Sequence, residues 1–346
     1  MADKSKNILI IGAGTIGASW AALFLAFGHS VHIYDIRKDV QDFVHDELQL
    51  MLKTLLPELS DSRRNVLVGR VMYELRLEEA AANPTLSLIQ DNGPENIEYK
   101  QTLWANIEKV APKEATFISS TSTITATIQS KFMQDPTRLI VAHPFNPPHL
   151  LPLVEIVPGE HRDESRVEAL MDFFKGCDRE PVYVRKETEG FIGNRLAFLL
   201  LRESLHLVEQ GVVSAEDIDK VVTSSLGIRW SIDGPFRSYH MGGGRGGLKH
   251  FLTHLGPAIG SVWKSAGTPD LSPELIETAA NQTHEAYGSV KDEMFEQRDR
   301  LTREVLKMRD ETRREHEELT HDTKPFIFCT SIKVREGGTS PESAYP

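Results

Sequence analysis

The sequence contains little cysteine and no long apolar run. Only Cys177 and Cys329 occur among its 346 residues, and they lie far apart. Two distant cysteines exclude a fold that depends on a disulfide framework and are typical of a reducing compartment. No stretch approaches the roughly 20 apolar residues that a membrane-spanning helix needs. We therefore expect a cytoplasmic protein that does not insert into membranes.

Positive charge is also scarce. Lysine and arginine number 39 against 50 aspartates and glutamates, which gives a formal net charge of -11 and argues against nucleic acid as a partner. The composition is otherwise ordinary for a globular protein, and the length suffices for two domains. An apolar strand already begins at Asn7, and the final Ser-Ala-Tyr-Pro is not a targeting signal, so we expect no leader peptide and no address signal. No metal site is expected.

The most informative stretch is an apolar strand that breaks into glycines. Residues 7–12 read Asn-Ile-Leu-Ile-Ile-Gly, and the pattern Gly12-x-Gly14-x-x-Gly17 leads into an apolar helix. Gly12 permits a tight turn, Gly14 lets the backbone approach a pyrophosphate, and Gly17 lets the helix pack closely on the sheet. The first turn of the helix offers free amides to phosphates. A glycine turn that serves only helix packing is the alternative.

Asp35 completes a dinucleotide-binding fingerprint. It ends a second apolar run, 18 residues after Gly17. A carboxylate at this place binds ribose hydroxyls and repels a 2′-phosphate, which favours NAD over NADP, although Arg37 and Lys38 weaken that preference. The sequence therefore predicts an NAD site. Its predicted residues are Gly12, Gly14, Thr15, Ile16, Gly17 and Asp35.

Strand and helix patterns alternate over residues 7–185. The candidate strands are 7–12, 31–35, 86–90, 116–119, 138–142, 152–157 and 181–184. The candidate helices are 15–27, 38–56, 60–70, 98–110 and 163–176. This alternation predicts an α/β, Rossmann-type doubly wound sheet with mostly parallel strands and helices on both faces. Such sheets bind ligands beyond the carboxyl ends of the strands, where the strand order reverses.

The pattern becomes wholly helical after residue 187. A strongly apolar stretch at 191–208 predicts a buried helix, and a long charged helix is expected over about 273–320. Ser214 has the position of a helix cap. The predicted organisation is an NAD-binding Rossmann domain at 1–187, an all-α substrate and dimerisation domain at 188–332, and a polar tail at 333–346.

Four polar residues stand where an apolar scaffold does not require them. Ser122 and His143 each follow a predicted strand, and Asn194 lies near the start of the long apolar helix. Glu155 lies inside an apolar run, where an unpaired carboxylate is costly and a histidine is its natural partner. Ser122 could instead cap a helix near residue 125, His143 could be a hydrogen-bonded histidine at a strand end, and Asn194 could serve only the helix terminus.

These motifs resemble the L-3-hydroxyacyl-CoA dehydrogenase superfamily. The shared features are a serine, a His-x-x-Asn-Pro turn, a glutamate twelve residues after that histidine, and a Gly-Phe-x-x-Asn-Arg motif. They correspond to Ser122, to His143 with Asn146 and Pro147, to Glu155, and to Asn194 with Arg195. The resemblance runs from the first strand to about Pro257. It is closer to the branch that acts without coenzyme A, which holds L-gulonate 3-dehydrogenase (also known as lambda-crystallin) and L-carnitine dehydrogenase.

The resemblance implies catalysis in a cleft between the NAD-binding domain and a dimerising helical domain. It implies that His143 is a general base, oriented by Glu155, which takes the substrate hydroxyl proton as hydride leaves for the nicotinamide. Ser122 and Asn194 would hydrogen-bond the reacting oxygen. It also places Glu95 and Lys100 as cofactor-binding residues near the nicotinamide half. Residues 91–93 depart from the family's usual apolar strand end.

Residues 227–247 bear on the substrate. Arg229 and Trp230 precede a Gly-Pro-Phe motif, and a glycine cluster follows at 242–247. Both features resemble the branch without coenzyme A. The glycines either let a loop close over a small ligand or form a flexible connection between helices. The predicted substrate-binding residues are Ser122, Asn194, Arg229, Trp230, Phe236 and Tyr239.

The predicted function is NAD-dependent interconversion of a small L-3-hydroxy acid and its 3-keto acid. Gulonate needs hydrogen-bond donors and a cation such as Arg229 or Arg195, whereas the quaternary ammonium of carnitine needs an aromatic cage. The alternatives are a 3-hydroxyacyl-CoA dehydrogenase, a dehydrogenase recruited to a specialised pathway, and a non-enzymatic, crystallin-like structural relative. The expected partners are the small-molecule substrate and a second copy of the chain, bound through the helical domain.

Overall fold

A computed structural model describes residues 5–320, with side chains up to residue 312. The described residues form two compact units, one that extends to Ile192 and one that begins at Gly193. The predicted polar tail at 333–346 and Cys329 lie outside the described residues, and the domain limits given above stay a prediction. No helix in the described range is both long and apolar enough to cross a membrane.

The first unit is built on an eight-stranded sheet. The strands are β1 (Asn7–Ile11), β2 (Ser30–Tyr34), β3 (Met72–Glu74), β4 (Leu86–Asp91), β5 (Thr116–Ser119), β6 (Leu139–Pro144), β7 (Leu153–Pro158) and β8 (Glu180–Tyr183). Their order in the sheet is β3-β2-β1-β4-β5-β6-β7-β8. Every neighbouring pair is parallel except β6 and β7. The order reverses between β1 and β4, so this sheet has its topological switch point there.

Helices cover both faces of this sheet. They are α1 (Thr15–Ala26), α2 (Val40–Leu55), α3 (Asp61–Val68), α4 (Leu77–Ala81), α5 (Ile97–Val110), α6 (Ala126–Gln129) and α7 (Glu164–Gly176). The helix after the glycine turn is apolar on all sides, and Trp20 and Phe24 are fully buried within one core layer. A second core layer around Trp104 and Phe117 lies under α5. The predicted doubly wound α/β fold is confirmed.

All regular secondary structure in the described part of the second unit is helical. Its helices are α8 (Gly193–Glu209), α9 (Ala215–Val221), α10 (Gly227–Ile232), α11 (Pro235–Gly242), α12 (Gly247–Ser265), α13 (Pro273–Tyr287) and α14 (Asp292–Thr320), with a π-helical turn at Val222–Leu226. Ser214 caps α9 as predicted, because its hydroxyl accepts the amide N–H of Asp217 at 3.1 Å.

Two expectations for this unit are wrong. The apolar stretch at 191–208 does form a helix, α8, but that helix is not buried in the single chain: Leu196, Phe198 and Leu201 are 60%, 57% and 53% exposed. Its apolar side chains occupy faces of the helix that no other part of the described chain covers. The expected helix over 273–320 is two helices, because α13 ends at Gly288, whose left-handed backbone (φ 71°) breaks the helical path.

Candidate active site

The glycine turn lies at the switch point of the sheet. Gly12 has a φ of 80° and donates its amide N–H to the carbonyl of Tyr34 at 2.8 Å. A Cβ at Gly17 would lie 2.0 Å from the Gly12 carbonyl oxygen, so the helix and the turn meet too closely for a side chain. A Cβ at Gly14 would meet nothing within 4 Å. The backbone at Gly14 therefore faces open space.

The start of α1 is suited to an anion. No side chain caps the helix and no acidic residue lies in its first turn. The amides of Thr15, Ile16 and Gly17 lie at this end, where the helix dipole is positive. An open backbone, uncapped amides and a positive helix end together fit the pyrophosphate of a dinucleotide.

The carboxylate of Asp35 lies at the end of β2 beside this turn. Its Oδ2 accepts the amide N–H of Ala13 at 2.8 Å, and its Oδ1 accepts the amide N–H of Arg37 at 2.9 Å. Burial alone would raise the pKa of Asp35, but hydrogen bonds from Arg37 and Ala13 outweigh burial and hold that pKa below its ordinary value. The group is therefore an anion at neutral pH, and its charge and its place at the end of β2 fit the ribose end of NAD.

A buried histidine–glutamate pair lies at the carboxyl end of β6. His143 Nδ1 is 2.8 Å from Glu155 Oε2, and the two residues are 3% and 1% exposed. The second carboxylate oxygen of Glu155 accepts the amide N–H of Ile192 at 2.8 Å. Because an ionised carboxylate only accepts, the proton of a neutral imidazole resides on Nδ1. The other ring nitrogen, Nε2, is then a proton acceptor.

Aromatic rings fix the plane of this imidazole. Phe145 and Phe191 have ring centroids 5.4 and 5.3 Å from that of His143. Phe191 is fully buried and has a φ of 48°, a left-handed conformation that is strained for a bulky residue. This conformation immediately precedes Ile192, whose amide contacts Glu155. The backbone strain is thus located where the carboxylate is held.

Glu95 organises the loop that carries Ser122. Its Oε1 accepts the hydroxyls of Thr121 and Thr123 at 2.5 and 2.8 Å and the amides of Ser122 and Thr123 at 3.1 and 3.0 Å. Burial alone would raise the pKa of Glu95, but the Thr121 and Thr123 hydrogen bonds hold it below its ordinary value. The sequence singled out Glu95 for a cofactor contact and did not reveal this link to Ser122, because the partners lie 26–28 residues away on another element.

Lys100 is buried in an ion pair. Its Nζ lies 2.6 Å from Asp91 Oδ2 and 3.9 Å from Glu95 Oε2, and its side chain is 1% exposed. This ammonium compensates the charge of Asp91, which is fully buried at the end of β4. The contacts in the structure are thus with carboxylates, and the predicted contact between Lys100 and the cofactor stays a prediction.

Ser122 and His143 lie at the same edge of the sheet. Ser122 follows β5 and His143 lies near the end of β6, and these neighbouring strands are parallel, with Ser119 opposite Val141. The alternative role of Ser122 as a helix cap is wrong, because Thr125 caps α6 by accepting the Ile128 amide.

Family models match both units of the chain. The NAD-binding domain of 3-hydroxyacyl-CoA dehydrogenase matches residues 7–188, and the C-terminal domain of the same family matches residues 190–292. The chain belongs to the 3-hydroxyacyl-CoA dehydrogenase family. It is an NAD-dependent dehydrogenase, as the sequence predicted.

Relatives of this dehydrogenase have different names. An L-carnitine dehydrogenase of Nocardiopsis dassonvillei is 33% identical over 315 residues, which cover 90% of this chain and 94% of that protein. A 3-hydroxyacyl-CoA dehydrogenase of Gibberella moniliformis is 33% identical over 316 residues, 88% of this chain and 95% of that protein. The crystal structure of 5-formyl-3-hydroxy-2-methylpyridine 4-carboxylic acid 5-dehydrogenase, an NAD⁺-dependent dismutase, matches with a TM-score of 0.73 and 26% identity over 88% of this chain and 99% of that chain.

The remaining predicted site residues of the dehydrogenase lie in the second unit. Asn194 is half-buried in the first turn of α8, and Arg229 is exposed on α10. Trp230, Phe236 and Tyr239 are 39%, 78% and 39% exposed, and Tyr239 packs on Phe251 with ring centroids 4.9 Å apart. Among the residues that the structure describes, these aromatics are open to solvent and do not form an enclosed cage.

The glycine cluster at 242–247 joins α11 to α12 by a compact turn. A Cβ at Gly243 would lie 1.9 Å from the carbonyl oxygen of Gly247, so the backbone folds tightly on itself. The amide N–H of Leu248 donates to His240 Nδ1 at 3.2 Å, which ties the turn to α11. The predicted closure of this segment over a ligand stays a prediction.

Two buried contacts that hold the loop after His143 were missed by sequence reasoning. Ser19, on the helix of the glycine turn, accepts the amide N–H of His149, and its hydroxyl lies 2.8 Å from His149 Nδ1. Arg179 donates to the carbonyls of Pro148, His149 and Leu151 at 3.1, 3.4 and 3.2 Å. A basic residue at the start of a strand gives no sequence signal for such a role.

Proposed function

We propose that this dehydrogenase oxidises the hydroxyl of a small 3-hydroxy acid that is not attached to coenzyme A, and that L-carnitine is the first substrate to test. The observation that carries the proposal is the buried contact between His143 Nδ1 and Glu155 Oε2 at the carboxyl end of the sheet. This contact keeps the imidazole proton on Nδ1 and fixes the orientation of the ring, so that Nε2 can act as the base.

His143 takes the substrate hydroxyl proton on Nε2. NAD, which the glycine turn and Asp35 would hold, would supply the hydride acceptor for the carbon that carries this hydroxyl. As the imidazole gains its proton, the Glu155 carboxylate stabilises the cation, and its bond to the Ile192 amide keeps it in place. In the reverse direction the same imidazole returns the proton to the carbonyl oxygen. A positioned acid–base group of this kind is worth roughly a hundredfold to ten-thousandfold in rate.

Ser122 and Asn194 orient the reacting oxygen. The Glu95 carboxylate accepts hydrogen bonds from the backbone amide of Ser122 and from the hydroxyls of the threonines on both sides of it. The backbone that carries the serine hydroxyl is therefore held in place at the sheet edge. Asn194, in the first turn of α8, is the second proposed donor. Donors that are held in place before the reaction stabilise the charge that develops on oxygen.

The names of the relatives support a substrate without coenzyme A. Seven proteins that are 32–35% identical to this chain are L-carnitine dehydrogenases. Arg229 offers a cation for a carboxylate, and Trp230, Phe236 and Tyr239 offer rings for a quaternary ammonium. L-gulonate, whose hydroxyls need hydrogen-bond donors, stays the alternative in this branch. A 3-hydroxyacyl-CoA ester is the second candidate, because the Gibberella relative carries that name.

A panel of three substrates tests the proposal. NADH formation is measured with L-carnitine and with L-gulonate, and NADH consumption with acetoacetyl-CoA, each beside the His143→Gln variant. We expect turnover with a free hydroxy acid and its loss in the variant. Activity with the thioester alone would overturn the assignment to the branch without coenzyme A. Activity with none of the three would favour a dehydrogenase recruited to a specialised pathway.

The proposed assembly is a homodimer formed by the helical unit. Support comes from large apolar side chains that the single chain leaves open, among them Leu196, Phe198 and Leu201 on α8 and Val262 and Trp263 on α12. Light scattering behind a sizing column tests this, and we expect twice the chain mass. A monomer that is stable at low micromolar concentration would contradict it. We place the enzyme in the cytoplasm, which two distant cysteines support.

A further inference from the structure

The carboxylate of Asp35 is covered by the side chain of Arg37. Arg37 Nε lies 3.1 Å from Asp35 Oδ1, and its Nη2 lies 3.3 Å from Oδ2 and 2.9 Å from the carbonyl oxygen of Ala13. The side chain of Asp35 is 8% exposed as a result. The Arg37 side chain therefore blocks access to Asp35, the residue expected to bind the ribose hydroxyls.

The acceptor positions of this carboxylate are all taken. Four N–H groups point at its two oxygens: the amides of Ala13 and Arg37, and Nε and Nη2 of the Arg37 side chain. An ionised carboxylate offers about four lone-pair positions. The two amide bonds belong to the turn itself and stay. The 2′- and 3′-hydroxyls of an adenosine ribose can reach Asp35 only where the Arg37 side chain has withdrawn.

The guanidinium of Arg37 is held by surface contacts that permit such a withdrawal. It lies 4.6 Å from the ring centroid of Phe43 on α2, and its side chain is 36% exposed. Stacking on a ring uses the face of the guanidinium, so its edge, which here bonds Asp35 and Ala13, can bind another anion once it has left them. A phosphate on the ribose 2′-oxygen is a dianion that a guanidinium binds with two parallel hydrogen bonds.

We propose that Arg37 determines the cofactor specificity of this site: it competes with the ribose of NAD for Asp35 and pairs with the 2′-phosphate of NADP, so that the protein binds both dinucleotides. The Asp35 carboxylate alone repels a 2′-phosphate. With Arg37 beside it, the local charge is neutral and a cation is within reach. This inference concerns the dinucleotide site alone and does not depend on the identity of the hydroxy acid.

Direct binding tests the proposal without any turnover. Dissociation constants of NADH and NADPH are measured by calorimetry for the wild-type protein and for Arg37→Met, which keeps the length of the side chain and its packing on Phe43. We expect measurable binding of NADPH by the wild type. In the variant, the ratio of the NADPH constant to the NADH constant should rise about tenfold or more, since a charge-assisted hydrogen bond is lost on one ligand and a competitor is removed for the other.

Two controls keep the result interpretable. Lys53→Met removes an exposed cation from the far end of α2 and should leave the ratio unchanged. If Arg37→Met fails to fold, Arg37→Gln and the salt dependence of the wild type replace it, because the NADPH affinity should fall more steeply with salt than the NADH affinity. No detectable NADPH binding by the wild type, an unchanged ratio in the Arg37 variants, or equal salt dependence for the two dinucleotides would overturn the proposal.

Discussion

His143 and Glu155 lie directly opposite each other on β6 and β7, the antiparallel pair of the described sheet. Residues opposed in this way point to the same face, where their side chains are neighbours. Two strands, rather than a loop, therefore set the 2.8 Å between the imidazole and the carboxylate. The proposed general base is thus held on sheet backbone and needs little further ordering when substrate binds.

Replacing the carboxylate by an amide tests this pairing. In Glu155→Gln the side chain keeps its size, but its amide can donate to Nδ1 and so favour the imidazole tautomer with the proton on Nε2. We expect turnover to fall on the order of a hundredfold, because the base is then blocked and its cation is not stabilised. NADH affinity should stay within a factor of about two. A variant with unaltered turnover would remove the orienting role of Glu155.

Glu95 should make the protein sensitive to acid. Its pKa is lowered in the folded state, so the stabilisation it provides is complete above the ordinary pKa of 4.5 and is lost as the pH falls through the folded-state value. We expect the urea midpoint of wild type to exceed that of Glu95→Gln at neutral pH, and the gap to close in acid below pH 4.5. Glu98→Gln, on the exposed first turn of α5, is the control. A gap that is constant with pH would contradict the role given to the Glu95 hydrogen bonds.

Substitutions at two glycines of the turn should affect NADH binding and folding stability differently. In Gly14→Ala the new methyl group enters open space, so the fold should be unchanged while NADH binding weakens at least about tenfold, because the methyl group lies where a phosphate approaches. In Gly17→Ala the methyl group would collide with the Gly12 carbonyl oxygen, so the unfolding free energy should fall as well. Urea denaturation and NADH titration of both variants check this. Equal behaviour of the two would be inconsistent with the geometry of the turn.

Removing the buried ammonium should destabilise the first unit. Lys100→Met leaves the Asp91 carboxylate buried without its 2.6 Å partner. Breaking a buried ion pair in this way costs about 3–5 kcal/mol of unfolding free energy. Adding Asp91→Asn to Lys100→Met should restore part of the loss, and Lys109→Met, at the exposed end of α5, should cost less than about 0.5 kcal/mol. Equal losses in Lys100→Met and in the double variant would contradict a charge-based explanation.

Local patterns sufficed to predict the sheet and the cofactor. Apolar strands, the glycine spacing and Asp35 predicted the fold and NAD as the cofactor because each depends on neighbouring residues, whereas the residues that bind NAD stay a prediction. The three-residue edge strand β3 was missed, since Met72–Glu74 is too short to show an alternation, and only its pairing with His32–Tyr34 defines it. The interruption at Gly288 was missed because charged helical residues lie on both sides of it.

Contacts distant in sequence escaped prediction. The carboxylate of Glu95 and the Ser122 loop, or Ser19 and His149, are brought together only once strands and helices are in register. The exposure of α8 could not be read from its composition either, because an apolar helix looks the same whether its own chain or another covers it.

Turnover and cofactor binding of His143→Gln, measured on one preparation, test the central claim most directly. The base assignment predicts that turnover with the active hydroxy acid falls about a hundredfold to ten-thousandfold, while the NADH dissociation constant is unchanged. Turnover close to that of the wild type, with NADH still bound, would contradict it.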